Sequence, residues 1–451
     1  MRTINKDILK LALPSILANI TVPLVGMVDI AVAGHLDTSA AVMIGGIAIG
    51  SMLFDLLYWN FGFLRVGTGG LAAQAYGRGD RKECARILTR ALGIAVACAL
   101  VLIAIQWVFV KAAFLVVDCT PEVRELASQY FFIRIWAAPA TLSLMAFKGW
   151  FIGMQDSVSP MTTDLVVNGM NILMSIVLAM VMGFSGIAAG TVVAQYSGIL
   201  TASVLLLVKY RRTTLSHLDP SELKSVFKGS ETKRFFVMNA DLYVRSLCFI
   251  AIYIGFTVIS ARYGDTLLAV SSIIMKLLMI FSYFTDGFAY AGEALTGKYI
   301  GAKDRMMVSQ TVKWTFVWSM AIALMFMAIY QFAGVPMLKM MTSDHIVVAA
   351  SREYLPWLLL MPVMGCAAFT WDGIYIGATA SRAIRNSMLW AVVAFFAVWA
   401  AGFLFPNLTP SGSMHVLMGA YFAHLLARTI YLSARYPHVL RTSLPSSLPS
   451  S

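Results

Sequence analysis

Apolar runs of about 20 residues recur along the whole chain, and a run of that length crosses a bilayer as a helix. Lipid offers no hydrogen bonds to a bare backbone, so every span must satisfy its own and helices follow. Twelve spans are expected: 9–33, 40–64, 91–115, 130–153, 160–183, 187–208, 236–261, 267–292, 312–333, 353–376, 387–405 and 414–433. The composition agrees. Of 451 residues, 59% are hydrophobic and 12% charged, against about 25% charged in an ordinary soluble domain. The chain reads as an all-α polytopic membrane protein.

Lys and Arg set the orientation. With the N-terminus inside, 23 of them fall in inside segments and 5 in outside segments. That asymmetry predicts both termini in the cytoplasm of a multi-pass protein; a bacterial inner (plasma) membrane is the expected home, which the charge pattern itself does not specify. It also accounts for most of the +12 net charge. Basic loops facing an anionic leaflet explain that charge better than nucleic-acid binding does. A cleaved signal peptide fits poorly, because the first apolar stretch is too long and contains Asp29.

Enzyme and metal readings find little support. Five cysteines show no CxxC spacing, and six histidines lack ligand spacing. No HExxH, GxSxG or complete GxxxxGK[ST] phosphate loop occurs. Without an ATP motif, any pumping must draw on an ion gradient. No cofactor and no metal is expected.

The chain also repeats itself. Gly77, Asp80 and Arg81 recur as Gly301, Asp304 and Arg305, 224 residues on; Gly149 and Gly153 recur as Gly373 and Gly377 at the same offset. An offset spanning six helices gives two halves of like topology, related by a pseudo-two-fold axis along the membrane normal. The expected organisation is an N-terminal six-helix lobe (1–208), a cytoplasmic linker (209–235), a C-terminal six-helix lobe (236–435) and a flexible tail (436–451). Within the linker, "LDPSELKSVF" has the pattern of a short surface helix. Gly-xxx-Gly spacings at Gly46/Gly50, Gly149/Gly153, Gly186/Gly190 and Gly373/Gly377 predict close helix packing inside each lobe, with homodimerisation the weaker alternative; a monomer is expected, though the sequence does not fix the oligomeric state.

Charges inside spans are the functional candidates. Asp29 sits in "VPLVGMVDIAVAGHLD" among apolar and small neighbours. A carboxylate at a span centre costs about 2.5–3.5 kcal/mol on insertion scales, so such acids mark ion or proton pathways. Pro14 and Pro23 each remove a hydrogen bond from the same span, which predicts bending or unwinding near Asp29. Asp241 and Arg245 share a face of span 7 at i, i+4 and can neutralise each other. Asp286 and Glu293 share a face of span 8, with Asp286 the deeper. Lys276 and Asp372 stand alone in sequence, open to pairing across helices or to substrate. Asp55, Arg134 and Lys148 are weaker cases. The 27 methionines suit an adaptable pocket, though most are expected in ordinary packing.

"LALPSILANITVPLVGMVDIAVAGHL", "GLAAQAYGRGD", "NADLYVRSLCFIA" and "YFTDGFAYAGEALTGKYIGAKDR" carry a resemblance covering about 5–435. The chain resembles the multidrug and toxic compound extrusion (MATE) family, in its DNA-damage-inducible protein F branch. The resemblance implies a secondary antiporter with two six-helix lobes around a V-shaped cavity. It implies export of small amphipathic, chiefly cationic, organic substrates against protons, or less readily sodium, with membrane lipids as the surroundings. The acid of the family's VDxxxxG motif falls on Asp29, and the Asn of its span-5 motif on Asn171, expected to hydrogen-bond Asp29. That motif's acid falls on Ser175, a departure that removes a second carboxylate and weakens a sodium site. Arg245 and Asp286 match the branch's span-7 Arg and span-8 acid. With Asp241, Lys276 and Asp372 they form a candidate substrate cavity or second-lobe relay. The alternative is a flippase for lipid-linked precursors, which favours a dense cationic cavity.

Overall fold

The structure is a computed structural model, and it describes residues 2–34, 40–115, 117, 119–217, 226–342, 344–405 and 407–444. Among these no strand occurs, and twelve helical segments are long and apolar enough to cross a membrane. The protein is an all-α polytopic membrane protein. Among the described residues there are fifteen α-helices, of which all but the short α12 build the spans: α1 (Arg2–Gly34), α2 (Ala40–Trp59), α3 (Phe63–Gly77), α4 (Arg81–Ala113), α5 (Pro121–Arg134), α6 (Ala138–Gly153), α7 (Val158–Met182), α8 (Phe184–Tyr210), α9 (Ser230–Ala261), α10 (Asp265–Gly301), α11 (Arg305–Met341), α12 (His345–Glu353), α13 (Leu355–Gly377), α14 (Ser381–Ala401) and α15 (Pro410–Ser443).

Two compact units result, one of residues 17–236 and one of residues 1–16 with 237–451. The first half of α1 therefore groups with the later helices. Trp318 Nε1 donates to Asn5 Oδ1 at 3.0 Å, and Gly287 has no room for a Cβ beside Ile16. The described end of the linker belongs to the 17–236 unit. Arg90 Nε donates to the Val226 carbonyl at 2.7 Å while its Nη1 pairs with Glu83 at 2.6 Å. Most of the surface helix expected at "LDPSELKSVF" lies outside the described residues.

The internal repeat is structural. Asp80 caps α4 by accepting from the Glu83 N–H at 2.9 Å, and Asp304 caps α11 by accepting from Met307 N–H at 3.0 Å. The preceding turns carry left-handed residues at matching places, Gly79 and Lys303, and Gln155 pairs with Thr379 in the same way. A Cβ on Gly149 would strike the Arg65 carbonyl, and one on Gly373 the Ala289 carbonyl, again 224 residues apart. On Gly153 it would meet the Gly69 carbonyl at 2.6 Å, and on Gly377 the Glu293 carbonyl. All four glycines exist so that α6 can touch α3 and α13 can touch α10 backbone to backbone.

The two halves differ in their breaks. The second expected span is interrupted at 60–62 between α2 and α3, while its counterpart α10 runs straight through. The fourth span breaks into α5 and α6 through a 3₁₀ turn at Ile135–Ala137, followed by Pro139, which has no N–H to give. At the other end, α15 continues to Ser443 through Pro437. Residues 436–443 are thus helical rather than part of a flexible tail. No glycine follows to stop the helix. Met361, Met388, Met414 and Met418 are fully buried in the core, which is the packing role expected of most methionines.

Candidate functional site

In the 17–236 unit the site grows from the pairing of α7 with α8. Gly186 and Gly190 on α8 face the α7 backbone, and a Cβ on Gly190 would lie 2.5 Å from the Ser175 nitrogen. That close approach buries Asn171 and Ser175. Ser175 Oγ then donates to Asp29 Oδ1 at 2.9 Å. Its second available acceptor is the Ile187 carbonyl, at 3.5 Å. Seven residues before Ser175 on α7, Asn168 Nδ2 donates to Thr21 Oγ1 at 2.6 Å. Two side-chain bonds from one face of α7 therefore hold the outer part of α1.

Asp29 is only 5% exposed. Among the described residues it has no cation within ion-pair distance. Its electrostatic neighbour is Arg134, which also senses Asp55. Arg134 is held away from a direct pair by other contacts. Its Nη1 donates to Tyr130 Oη at 2.9 Å, and its guanidinium lies 4.7 Å from the Phe54 ring centroid. Asp55 itself is exposed.

Two expectations change here. Asn171 does not bond Asp29: its Nδ2 donates to Thr191 Oγ1 on α8 at 2.9 Å. Asn171 Oδ1 is buried with no partner among the described residues. The bond to Asp29 comes instead from Ser175, the position where the family's second acid is missing. Nor is α1 unwound, for it is helical without interruption through Pro14 and Pro23 to Gly34. Each proline still withholds one helical N–H from α1. Ser15 and Thr21 hydroxyls donate back to the Leu11 and Ala18 carbonyls at 3.0 and 2.7 Å, a pattern that bends helices.

In the other unit the acids are locked. Asp241 does not pair with Arg245. It accepts from Arg385 Nη1 at 2.6 Å and from Ser381 Oγ at 2.7 Å, both on α14. Arg245 reaches across to Asp372 on α13 at 2.7 Å, and the fully buried Arg428 on α15 meets the same oxygen at 2.5 Å. A partner across the fold prevails over one on the same helix because the buried Asp241, Asp372 and Arg428 would otherwise lie unpaired in apolar surroundings. Lys276 is exposed and does not join Asp372. Asp286 is half-buried on α10, and Glu293, about two turns further along, is fully buried. Arg428 and neighbouring His424 were legible as polar residues in "FAHLLARTIYL" and went unweighed. Lys148, at the position equivalent to Asp372, pairs with Asp164 at 2.7 Å. No cluster of three metal-ligating side chains occurs among the described residues.

A family model described as MatE matches residues 14–177 and 242–400, one match in each half. The chain belongs to the MatE family. It lies on the branch of DNA damage-inducible protein F of Escherichia coli (strain K12), with 34% identity over 95% of this chain and 91% of that protein. It is also similar to the protein DETOXIFICATION 44, chloroplastic, of Arabidopsis thaliana, 24% identical over 83% of this chain and 72% of that one. Among solved structures, an outward-facing multidrug resistance MATE family transporter of the MOP superfamily superposes with a TM-score of 0.84 at 14% identity, covering 97% and 96% of the two chains. Membership of this transporter family means the chain is not an enzyme.

Proposed function

We propose that this MatE-family protein exports amphipathic organic compounds in exchange for protons, with Asp29 as the group that takes and gives up the proton. One observation carries the reading. Asp29 is a buried carboxylate held by a hydroxyl rather than by a cation. An ion-paired acid stays ionised through a cycle, whereas an acid supported by one hydrogen bond changes state when its hydration changes.

The geometry supports a two-state exchange. In the ionised state Ser175 donates to Asp29. On protonation the carboxyl becomes a weaker acceptor and gains an O–H of its own, and the Ser175 hydroxyl turns to the Ile187 carbonyl, already 3.5 Å away. The Thr21–Asn168 bond to that face of α7 does not depend on the proton and stays. Pro14 and Pro23 supply the points where α1 bends as it is released. Ionised Asp29 favours a cationic substrate, and protonated Asp29 favours release, so proton and substrate oppose one another. Ser175 in place of a second carboxylate favours protons over sodium, which needs several oxygen ligands. The basic segments favour cytoplasmic termini in a bacterial inner membrane, and the packed Gly-xxx-Gly faces favour a monomer.

The test uses full-length protein in proteoliposomes loaded with a fluorescent organic cation. Wild type is expected to move the cation under a pH gradient without sodium, and Asp29→Asn to lose that exchange by about tenfold or more, the cost of about 1.4 kcal/mol per decade. Unchanged exchange in Asp29→Asn overturns the role. A second reading rests on Arg245 and Arg428 around one Asp372, a net positive centre that suits an anionic headgroup. It favours the lipid-precursor flippase, and gains support if neither gradient moves the cation.

A further inference from the structure

A groove of about 710 Å³ runs along the exposed face of α14 and α15, at residues the transport cycle does not use. We propose that it holds one acyl chain of an anionic phospholipid, with the headgroup on Arg435 and His438.

Helical periodicity builds the groove. On α15, Ala427, Ile430, Tyr431, Ala434, Arg435 and His438 fall on one stripe; Trp390, Val393 and Ala394 do the same on α14. The alanines form a low floor between exposed walls, Trp390 at 59% and Ile430 at 65% exposure. These helices span a membrane, so what lies against the groove is lipid. Its length selects how much lipid. From Ala427 to His438 the helix rises about 16 Å, about half of a ~30 Å hydrocarbon core and hence one leaflet.

Charge selects the headgroup. Apolar residues fill one end, while Arg435 and His438 stand exposed at the other. The Arg435 guanidinium lies 5.8 Å from the Tyr431 ring centroid, a stacking that leaves its N–H groups available. Arg382 at the start of α14 and Arg441 near the end of α15 are also exposed. Neither helix contains a single Asp or Glu. Basic pockets between membrane helices are built to take anionic headgroups. A cationic transport substrate would be repelled from this end.

The experiment uses the full chain, purified and delipidated in neutral detergent. Its Tm is measured with phosphatidylglycerol and with phosphatidylcholine of matched acyl chains. Phosphatidylglycerol is expected to raise Tm by several degrees more than phosphatidylcholine. The excess is expected to vanish in the Arg435→Ala/His438→Ala variant, whose surface positions leave the fold intact. Ala427→Trp fills the floor while keeping the basic end, and is expected to lose the stabilisation as well. Equal shifts with both lipids overturn the proposal, as does a preference undiminished in either variant. So does displacement of the lipid by the organic cation, or a dimer by light scattering that Ala427→Trp dissolves.

Discussion

Laid over one another at the 224-residue offset, the two halves of the chain agree in their scaffolding and disagree in their chemistry. Capping aspartates, left-handed turn residues and the glycines of the tight crossings recur pair by pair. The charged residues inside the spans do not. Where the second half has Asp372 the first has Lys148; where the first has Asp29 and Ser175 the second has Tyr253 and Trp399. The repeated positions are those that backbone geometry demands, so duplication preserved them. The charged positions answer to function and diverged. The divergence has a direction as well: the acids Asp241 and Asp372 sit in direct ion pairs, while Asp29 accepts from a hydroxyl.

If the ion-paired acids are structural, breaking them should cost the fold first. Arg428→Ala leaves Asp372 with one cation in a buried site and is expected to destabilise the protein by about 3–5 kcal/mol, read as a large fall in Tm in detergent. An Arg428→Ala protein that is as stable as wild type but inactive would move Asp372 from scaffold to mechanism.

The opposite half should respond in pH rather than in stability. Ser175→Ala removes a donor to ionised Asp29, and a hydrogen bond to a charged group contributes about 1.5–3 kcal/mol. Losing it favours the protonated form, so the pH profile of exchange is expected to move about one unit upward while folding is little changed. A profile that stays in place would show that the Ser175–Asp29 bond does not set the protonation.

The smallest effect belongs outside the membrane. Burial alone would raise the Asp156 carboxyl. The Ser159 hydroxyl and N–H, with Lys209, more than offset it and hold it below the usual carboxylate range. A depressed value contributes stability that is full above the ordinary carboxylate range and is lost as pH falls through the lowered value. Asp156→Asn should therefore lower stability by about 1 kcal/mol near neutral pH. The gap from wild type should close in acid below about pH 4, in thermal unfolding across pH.

The fold was legible because its causes are local in sequence. Twelve apolar runs, the Gly-xxx-Gly pairs and the Gly-x-x-Asp-Arg elements all announce themselves, and each was found doing what its spacing implies. The break at 60–62 was not, since "WNFGF" lacks the proline that marks the other breaks. In the site, Asp29 stood out because a lone carboxylate in a span is unusual. Its partner did not, because Ser175 marks itself in sequence only as a missing acid, while its bond to Asp29 depends on Gly190 bringing α8 against α7. The i, i+4 rule paired Asp241 with Arg245, and that failed for the same reason. On an isolated helix the near neighbour wins, but inside a bundle Arg385 lies within 2.6 Å of Asp241, and the buried Asp372 within 2.7 Å of Arg245.

The central claim is that substrate and proton oppose each other at Asp29, and proton release measures it directly. Purified protein in lightly buffered detergent solution is titrated with the organic cation while pH is followed. The account predicts release of about one proton per bound cation in wild type near the midpoint of the exchange profile, and none from Asp29→Asn. Equal release from both, or binding to wild type with no release at all, would contradict it.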